Sequence, residues 1–127
     1  MDLSSLLGLK GTEERVVVHE LTAAYWADGG VAVFSTPAMI GLMEVASAKA
    51  VHGHLPEGTN TVGVEVNIRH LAATPIGMKV RATGELIEVN NNRLVFKVEA
   101  YDEEKKIGEG THTRYLIDQT RFMKGKN

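Results

Sequence analysis

The sequence predicts an α+β fold in which an antiparallel sheet wraps around one long buried helix. Three observations predict it. The run from Pro37 to about His52 is helical in pattern and almost wholly apolar or small, with Glu44, Ser47 and Lys49 as exceptions among residues 37–51. Beyond it the chain alternates apolar and polar residues with period two, in segments joined by short polar turns. The length, 127 residues, suits one domain and is short for two. A helix without a broad polar face must be enclosed, and in a chain this short the enclosing element is a curled sheet.

Taken in order, residues 1–12 read as a loose or weakly helical lead-in ending at Gly11. Arg15 to Thr22, rich in Val and Leu, reads as a first strand. Tyr25-Trp26-Ala27-Asp28-Gly29-Gly30 is a loop whose paired glycines permit unusual backbone angles. Ser35 or Thr36 offers an N-cap and Pro37 suits the first helical position; Gly53, Pro56 and Gly58 end the helix. Thr61 to Leu71 alternates, with Val62, Val64, Val66 and Ile68 on the face expected to meet the core and Gly63, Glu65, Asn67 and Arg69 opposite. Met78 to Val89 and Leu94 to Tyr101 are strands joined at Asn90-Asn91-Asn92, a hairpin signal because Asn tolerates positive φ. Asp102 to Lys106 is a polar turn, and Ile107 to Ile117 is the last strand, weakened by Gly108 and Gly110. The polar tail from Asp118 is expected to be mobile. The whole is one domain over 1–127, loosely ordered at 1–12 and 118–127, and its order of strand, helix and four strands is that of the hotdog fold.

Composition narrows the function. A net charge of −2 argues against nucleic acid, whose phosphates need clustered Lys and Arg. The absence of cysteine removes disulfides, thiol nucleophiles and thiolate metal sites, and is compatible with a reducing compartment. The start has neither the basic segment nor the apolar run of a secretory signal, and no stretch reaches bilayer-spanning length, so a cytoplasmic protein without a membrane partner is expected. No phosphate-cradling Gly-x4-Gly-Lys loop and no Gly/Ser nucleophile elbow is present. His52 and His54 lack a third ligand, so no metal is expected; His19 and His112 lie on strands without evident companions, and Met39 and Met43 suit the core.

Three residues carry the chemistry. Glu44 has Ile40, Gly41, Ser47, Ala48 and Val51 as helix neighbours, a mainly apolar face. Its carboxylate must therefore reach a wet cleft, a partner chain or a hydrogen-bonding group, or else be paired with Arg or Lys. His70 stands where the apolar row of its strand runs out, as a core-edge histidine or as an acid–base group at a rim. Thr36, at the helix start, either caps the helix or joins the N-terminal N–H groups in stabilising a carbonyl oxygen that turns negative.

Val33-Phe34-Ser35-Thr36-Pro37-Ala38-Met39-Ile40-Gly41-Leu42-Met43-Glu44, Gly63 to His70, Ala72-Ala73-Thr74-Pro75 and Gly108-Glu109-Gly110-Thr111-His112 together resemble the hotdog thioesterases related to fluoroacetyl-CoA thioesterase. The resemblance implies hydrolysis of an acyl-CoA thioester with Thr36, Glu44 and His70 as catalytic residues and Gly63 lining the acyl site. It also implies a homodimer, or a tetramer of such dimers, with the cleft where two sheets join edge to edge. CoA enters only as part of the substrate, with no cofactor and no metal. Glu44 would act as nucleophile or as general base. The chain departs from the fluoroacetate-specific members at Ala27-Asp28-Gly29-Gly30-Val31-Ala32, where those carry phenylalanines that gate the acyl group, so a different acyl substrate is expected. Alternatives are a non-catalytic acyl-CoA binding module, a hotdog hydratase or dehydratase (although the helix lacks the Asp-x4-His spacing of the hydratases), and a substrate held on a carrier protein.

Overall fold

The structure, a computed structural model, describes residues 2–27 and 30–125. A 3₁₀ turn at Ser4–Leu6 precedes strand β1 (Lys10–Val16). A second 3₁₀ turn (His19–Leu21) and a short helix α1 (Ala23–Trp26) lead to the long helix α2 (Thr36–Val51). Four strands follow, β2 (Thr59–His70), β3 (Lys79–Asn90), β4 (Arg93–Tyr101) and β5 (Lys106–Asp118), and helix α3 (Gln119–Met123) closes the chain. The sheet is antiparallel in the order β1-β3-β4-β5-β2, so β1 and β2 are its edges. Helix α2 lies across one face of it, and between them are packed Phe34, Met39, Met43, Val80, Leu86, Leu94, Phe96, Val98 and Ile107. This is the expected hotdog arrangement, and the β3–β4 hairpin turns where expected, with Asn91 at φ 55°.

The first strand lies earlier than the sequence suggests. Gly11 does not end a lead-in; it pairs with Gly84 of β3, and both glycines face the helix. A Cβ on Gly11 would overlap the Ala46 carbonyl, and one on Gly84 would lie 2.5 Å from Ser47 Oγ. The two bare backbones let α2 lie close to the sheet, and a strand is needed there to carry them. The Val-rich stretch expected to be strand instead leaves the sheet after Val16. Its Thr22 hydroxyl accepts a hydrogen bond from Tyr25 N–H at 3.3 Å and starts α1. At both ends, where loose order is expected, regular elements occur: Leu3 is buried in the core, and α3 is capped by Asp118, whose Oδ1 accepts from Arg121 N–H.

Two burial expectations are also corrected. Helix α2 is covered on one side only. Met39, Leu42, Met43, Ala46, Ser47, Ala50 and Val51 are buried, while Val45 and Lys49 face outward. Ala38, Gly41, Leu42 and Val45 line, with Leu21, Phe34 and Arg15, a largely apolar groove of about 290 Å³. The valine row of β2 is not a core row either, since Val64 is 56% and Val66 41% exposed. A β-bulge between Gly63 and Glu65 leaves Val64 without a partner in the ladder. The outer edge of β2 pairs with no strand among the described residues.

Candidate active site

Ser35, not Thr36, caps α2: its hydroxyl accepts from Ala38 N–H at 3.2 Å. That leaves the Thr36 side chain free for other work. The approach to the helix is pinned on both sides, Phe34 N–H to the Thr74 carbonyl (2.8 Å) and Ser35 N–H to the Leu21 carbonyl (2.9 Å). Thr74 is itself held, its hydroxyl donating to Asp102 at 2.9 Å. Burial raises the Asp102 pKa, but hydrogen bonds from Lys105, Glu104 N–H and Thr74 outweigh it and pull the carboxyl down to about 2.

From this braced corner Thr36 Oγ1 reaches His70 Nδ1 at 2.8 Å, at the last residue of β2. The Phe34 ring stands edge-on to the imidazole, 6.5 Å between centroids. His70 Nε2 is buried and has no hydrogen-bond partner among the described residues. Burial pushes the His70 pKa below its ordinary value, partly opposed by the Ala72 backbone. The pair opens onto a cavity of about 420 Å³ bounded by Ala23, Val33, Phe34, Leu71 and Ala72.

Glu44 stands apart from this pair. From Thr36 to Glu44 the helix rises about 12 Å, and no contact joins Glu44 to Thr36 or His70 among the described residues. Its side chain is 41% exposed, and its Oε2 lies 3.8 Å from His112 Nε2 and 4.0 Å from Arg114 Nη1. Gly63, across from Arg114 in the β2–β5 ladder, completes the cluster. A Cβ there would come within 2.7 Å of Glu44 Oε2 and 3.0 Å of His112 Cε1. Only glycine leaves the carboxylate this approach.

Sequence reasoning thus named Thr36, His70, Glu44 and Gly63 but missed Arg114, and it left His112 without companions. The residue types offered one signal: His112 and Arg114, two apart on a strand, must share a face. Which face, and opposite what, depends on the pairing of β5 with β2. No group of three His, Cys, Asp or Glu side chains placed to hold a metal ion occurs among the described residues.

Asp28 and Gly29, in the stretch that lacks the phenylalanines expected of fluoroacetate-specific members, lie outside the described residues. Its neighbour Gly30 is tightly enclosed by backbone: a Cβ would lie 2.6 Å from the Ala23 carbonyl oxygen and 2.9 Å from that of Ala27. A side chain at that position requires a different loop path. No helix among the described residues is long and apolar enough to cross a membrane.

The family model for the fluoroacetyl-CoA-specific thioesterase matches residues 12–120. Fluoroacetyl-CoA thioesterase of Streptantibioticus cattleyicolor is 41% identical over 90 residues, 71% of this chain and 65% of the relative's length, so the match spans just under two thirds of that protein. A solved structure of the fluoroacetyl-CoA thioesterase FlK superposes with a TM-score of 0.87 at 34% identity, covering 94% of this chain and 93% of that one. A thioesterase-superfamily protein of Thermus thermophilus superposes at 0.86 with 30% identity, covering 93% and 88%. A hot-dog-like protein from Thermanaerovibrio acidaminovorans, 24% identical and covering 98% and 94%, shares the fold at a TM-score of 0.90.

Proposed function

The chain belongs to the fluoroacetyl-CoA-specific thioesterase family, and from that premise we propose that it hydrolyses an acyl-CoA thioester to the free acid and CoA. The observation that carries the reading is the setting of Glu44. A half-exposed carboxylate stands beside a guanidinium, with the space above it held open by Gly63. In this reading Glu44 attacks the thioester carbonyl or takes a proton from the water that does. The tetrahedral intermediate then expels CoA as its thiolate. Thr36 and the N–H groups at the helix start favour the oxyanion. On the nucleophilic route His70, its pKa lowered by burial, takes a proton from the water that attacks the acyl-Glu44 anhydride, which frees the Glu44 carboxylate, and passes that proton to the CoA thiolate. On the general-base route the proton Glu44 took from water goes to the thiolate. No cofactor or metal takes part, and CoA is held only as the leaving group. The cytoplasm is the expected compartment.

A homodimer is part of the same proposal. The free edge of β2 carries exposed Val64 and Val66, and a long apolar edge strand of this kind calls for a partner. Antiparallel pairing of two such edges about a two-fold axis runs the His70 end of each β2 past the Gly63 half of the other. Each cleft then combines Thr36 and His70 of one protomer with the Glu44 cluster of its partner. Residues 27–32 carry none of the phenylalanines of the fluoroacetate-specific members, which supports an acyl group other than fluoroacetyl.

Thiol release from a panel of short, medium and aromatic acyl-CoAs tests the reading, with wild type beside Glu44→Ala. Turnover on one acyl class and a loss of about a thousandfold or more in the variant is expected. A panel bound but not hydrolysed returns the protein to the class of acyl-CoA binding modules. Hydrolysis only of carrier-linked thioesters changes the substrate and leaves the chemistry in place. Rapid-quench trapping of an acyl-Glu44 species separates the nucleophilic route from the general-base one.

A further inference from the structure

His112 is the most enclosed titratable side chain near Glu44, 1% exposed, and the mechanism above gives it no task. Its two ring nitrogens have unlike partners. Nδ1 lies 2.9 Å from the Glu65 carbonyl oxygen, which can only accept, so Nδ1 carries the hydrogen. Nε2 lies 3.1 Å from Arg114 Nη1, and a guanidinium can only donate, so Nε2 presents its lone pair. The two contacts together fix one neutral tautomer. Protonation would place an N–H against the guanidinium and a second cation beside it. Burial first, and then the charge of Arg114, press His112 away from the cationic form, against the opposing pull of the Glu65 carbonyl and Glu44. A proton transfer from Nε2 to Glu44 would have to break the Arg114 contact first.

Arg114 is otherwise tied to one residue of β2. Its Nε donates to Thr61 Oγ1 at 2.8 Å and its Nη2 to the Thr61 carbonyl at 3.0 Å. Those bonds hold the far side of the guanidinium plane. The bond to His112 holds Nη1, the nitrogen 4.0 Å from Glu44 Oε2, and leaves the second Nη1 hydrogen uncommitted. We propose that His112 is a positioning residue: a neutral acceptor that fixes Nη1 of Arg114 beside Glu44, so that a cation of set orientation faces the reacting carboxylate. The proposal rests on the reading of Glu44 as the attacking or activating group. The Glu65 carbonyl on β2 orients the imidazole, the imidazole orients the guanidinium, and Gly63 leaves the room in which these two side chains meet the carboxylate.

Two amides separate the two hydrogen bonds. His112→Gln can set an amide oxygen near the place of Nε2 and so still accept from Arg114. His112→Asn keeps a donor near Nδ1 for the Glu65 carbonyl but reaches Arg114 with nothing. The Asn variant is expected to lose about tenfold or more in kcat with a smaller change in KM, and the Gln variant to stay within about threefold of wild type. In an Arg114→Ala background, His112→Asn is expected to cost no further kcat, because the group it positions is gone. Equal losses in both amides, or the same Asn penalty with and without Arg114, overturn the proposal. Nitrogen-15 spectra of the unmutated protein give a readout that does not depend on a variant folding. Nε2 of His112 is expected to show the shift of an unprotonated ring nitrogen at pH 7, and a protonated Nε2 overturns the assignment. Glu44→Ala is assayed in parallel. If it keeps full turnover, the reading of Glu44 fails, while the spectra still report whether His112 accepts from Arg114.

Discussion

The Thr36–His70 pair and the Glu44 cluster hang on the same helix and are built by opposite means. Thr36 and His70 meet through one hydrogen bond at the exposed start of α2, and the surrounding backbone does the holding: Ser35 as cap, Leu21 and Thr74 as anchors, Asp102 behind Thr74. Around Glu44 it is the side chains that hold. A buried imidazole and a guanidinium with three hydrogen bonds are set by the β2–β5 register, and a missing Cβ makes the space. The first kind of site depends on short stretches of chain, the second on which residue of one strand lies opposite which of another. That difference decides what breaks each, and what could be read before the fold was known.

The largest effect expected concerns whether the two regions serve one reaction. Glu44→Ala and His70→Ala homodimers should each be nearly inactive. A mixed dimer of the two keeps one intact cleft if each cleft draws on both protomers, and none if it draws on one. Statistical mixing should therefore recover about a quarter of wild-type kcat, and thiol release from the mixture reads it. Recovery of nothing, with subunit exchange verified by mass, breaks the composite site.

A smaller effect sharpens the role of packing in the Glu44 region. Gly63→Ala places a methyl group 2.7 Å from Glu44 Oε2, and the carboxylate must move away from its station. A loss of about tenfold to a hundredfold in kcat is expected, with KM less affected. Thr36→Val should leave stability nearly unchanged, because Ser35 is the cap, whereas Ser35→Ala should cost about 1 kcal/mol of unfolding free energy. Denaturant titration of the two variants side by side tests this.

The smallest effect appears in both regions at once. His70 and His112 each have a pKa lowered in the fold, chiefly by burial. In the unfolded chain both titrate near about 6.5, so above that pH neither state gains protons and their contribution is full. As pH falls through the unfolded value, the unfolded state takes up protons first. Stability declines until the lowered folded values are passed. Thermal midpoints measured downward from pH 7 should fall, and His112→Gln should flatten part of the fall.

Most of the fold and four of the six residues of the candidate site are legible in the sequence, and the boundary follows the same division. The Ser35-Thr36-Pro37 start, the apolar run behind it and the asparagine turn are local signals, and each marks its element within a residue or two. The end of an alternating run makes His70 read as a rim residue, and in the fold it ends β2 and lines a cavity. Gly11 reads as the end of a lead-in because a glycine that lets a strand touch a helix looks the same, in one dimension, as a glycine that ends a segment. The valine row of β2 reads as a core row because alternation marks a face without saying what covers it, and the bulge after Gly63 further disturbs the count. Arg114 went unremarked because its meaning arises only opposite Gly63.

Gly41 shows what the uncovered side of the helix implies for anyone wishing to harden this protein. It sits mid-helix with ordinary backbone geometry, and the place of its missing Cβ has nothing within 4 Å. A glycine there forgoes about 0.5–1 kcal/mol relative to alanine. It is the most direct substitution for thermal tolerance that the helix offers.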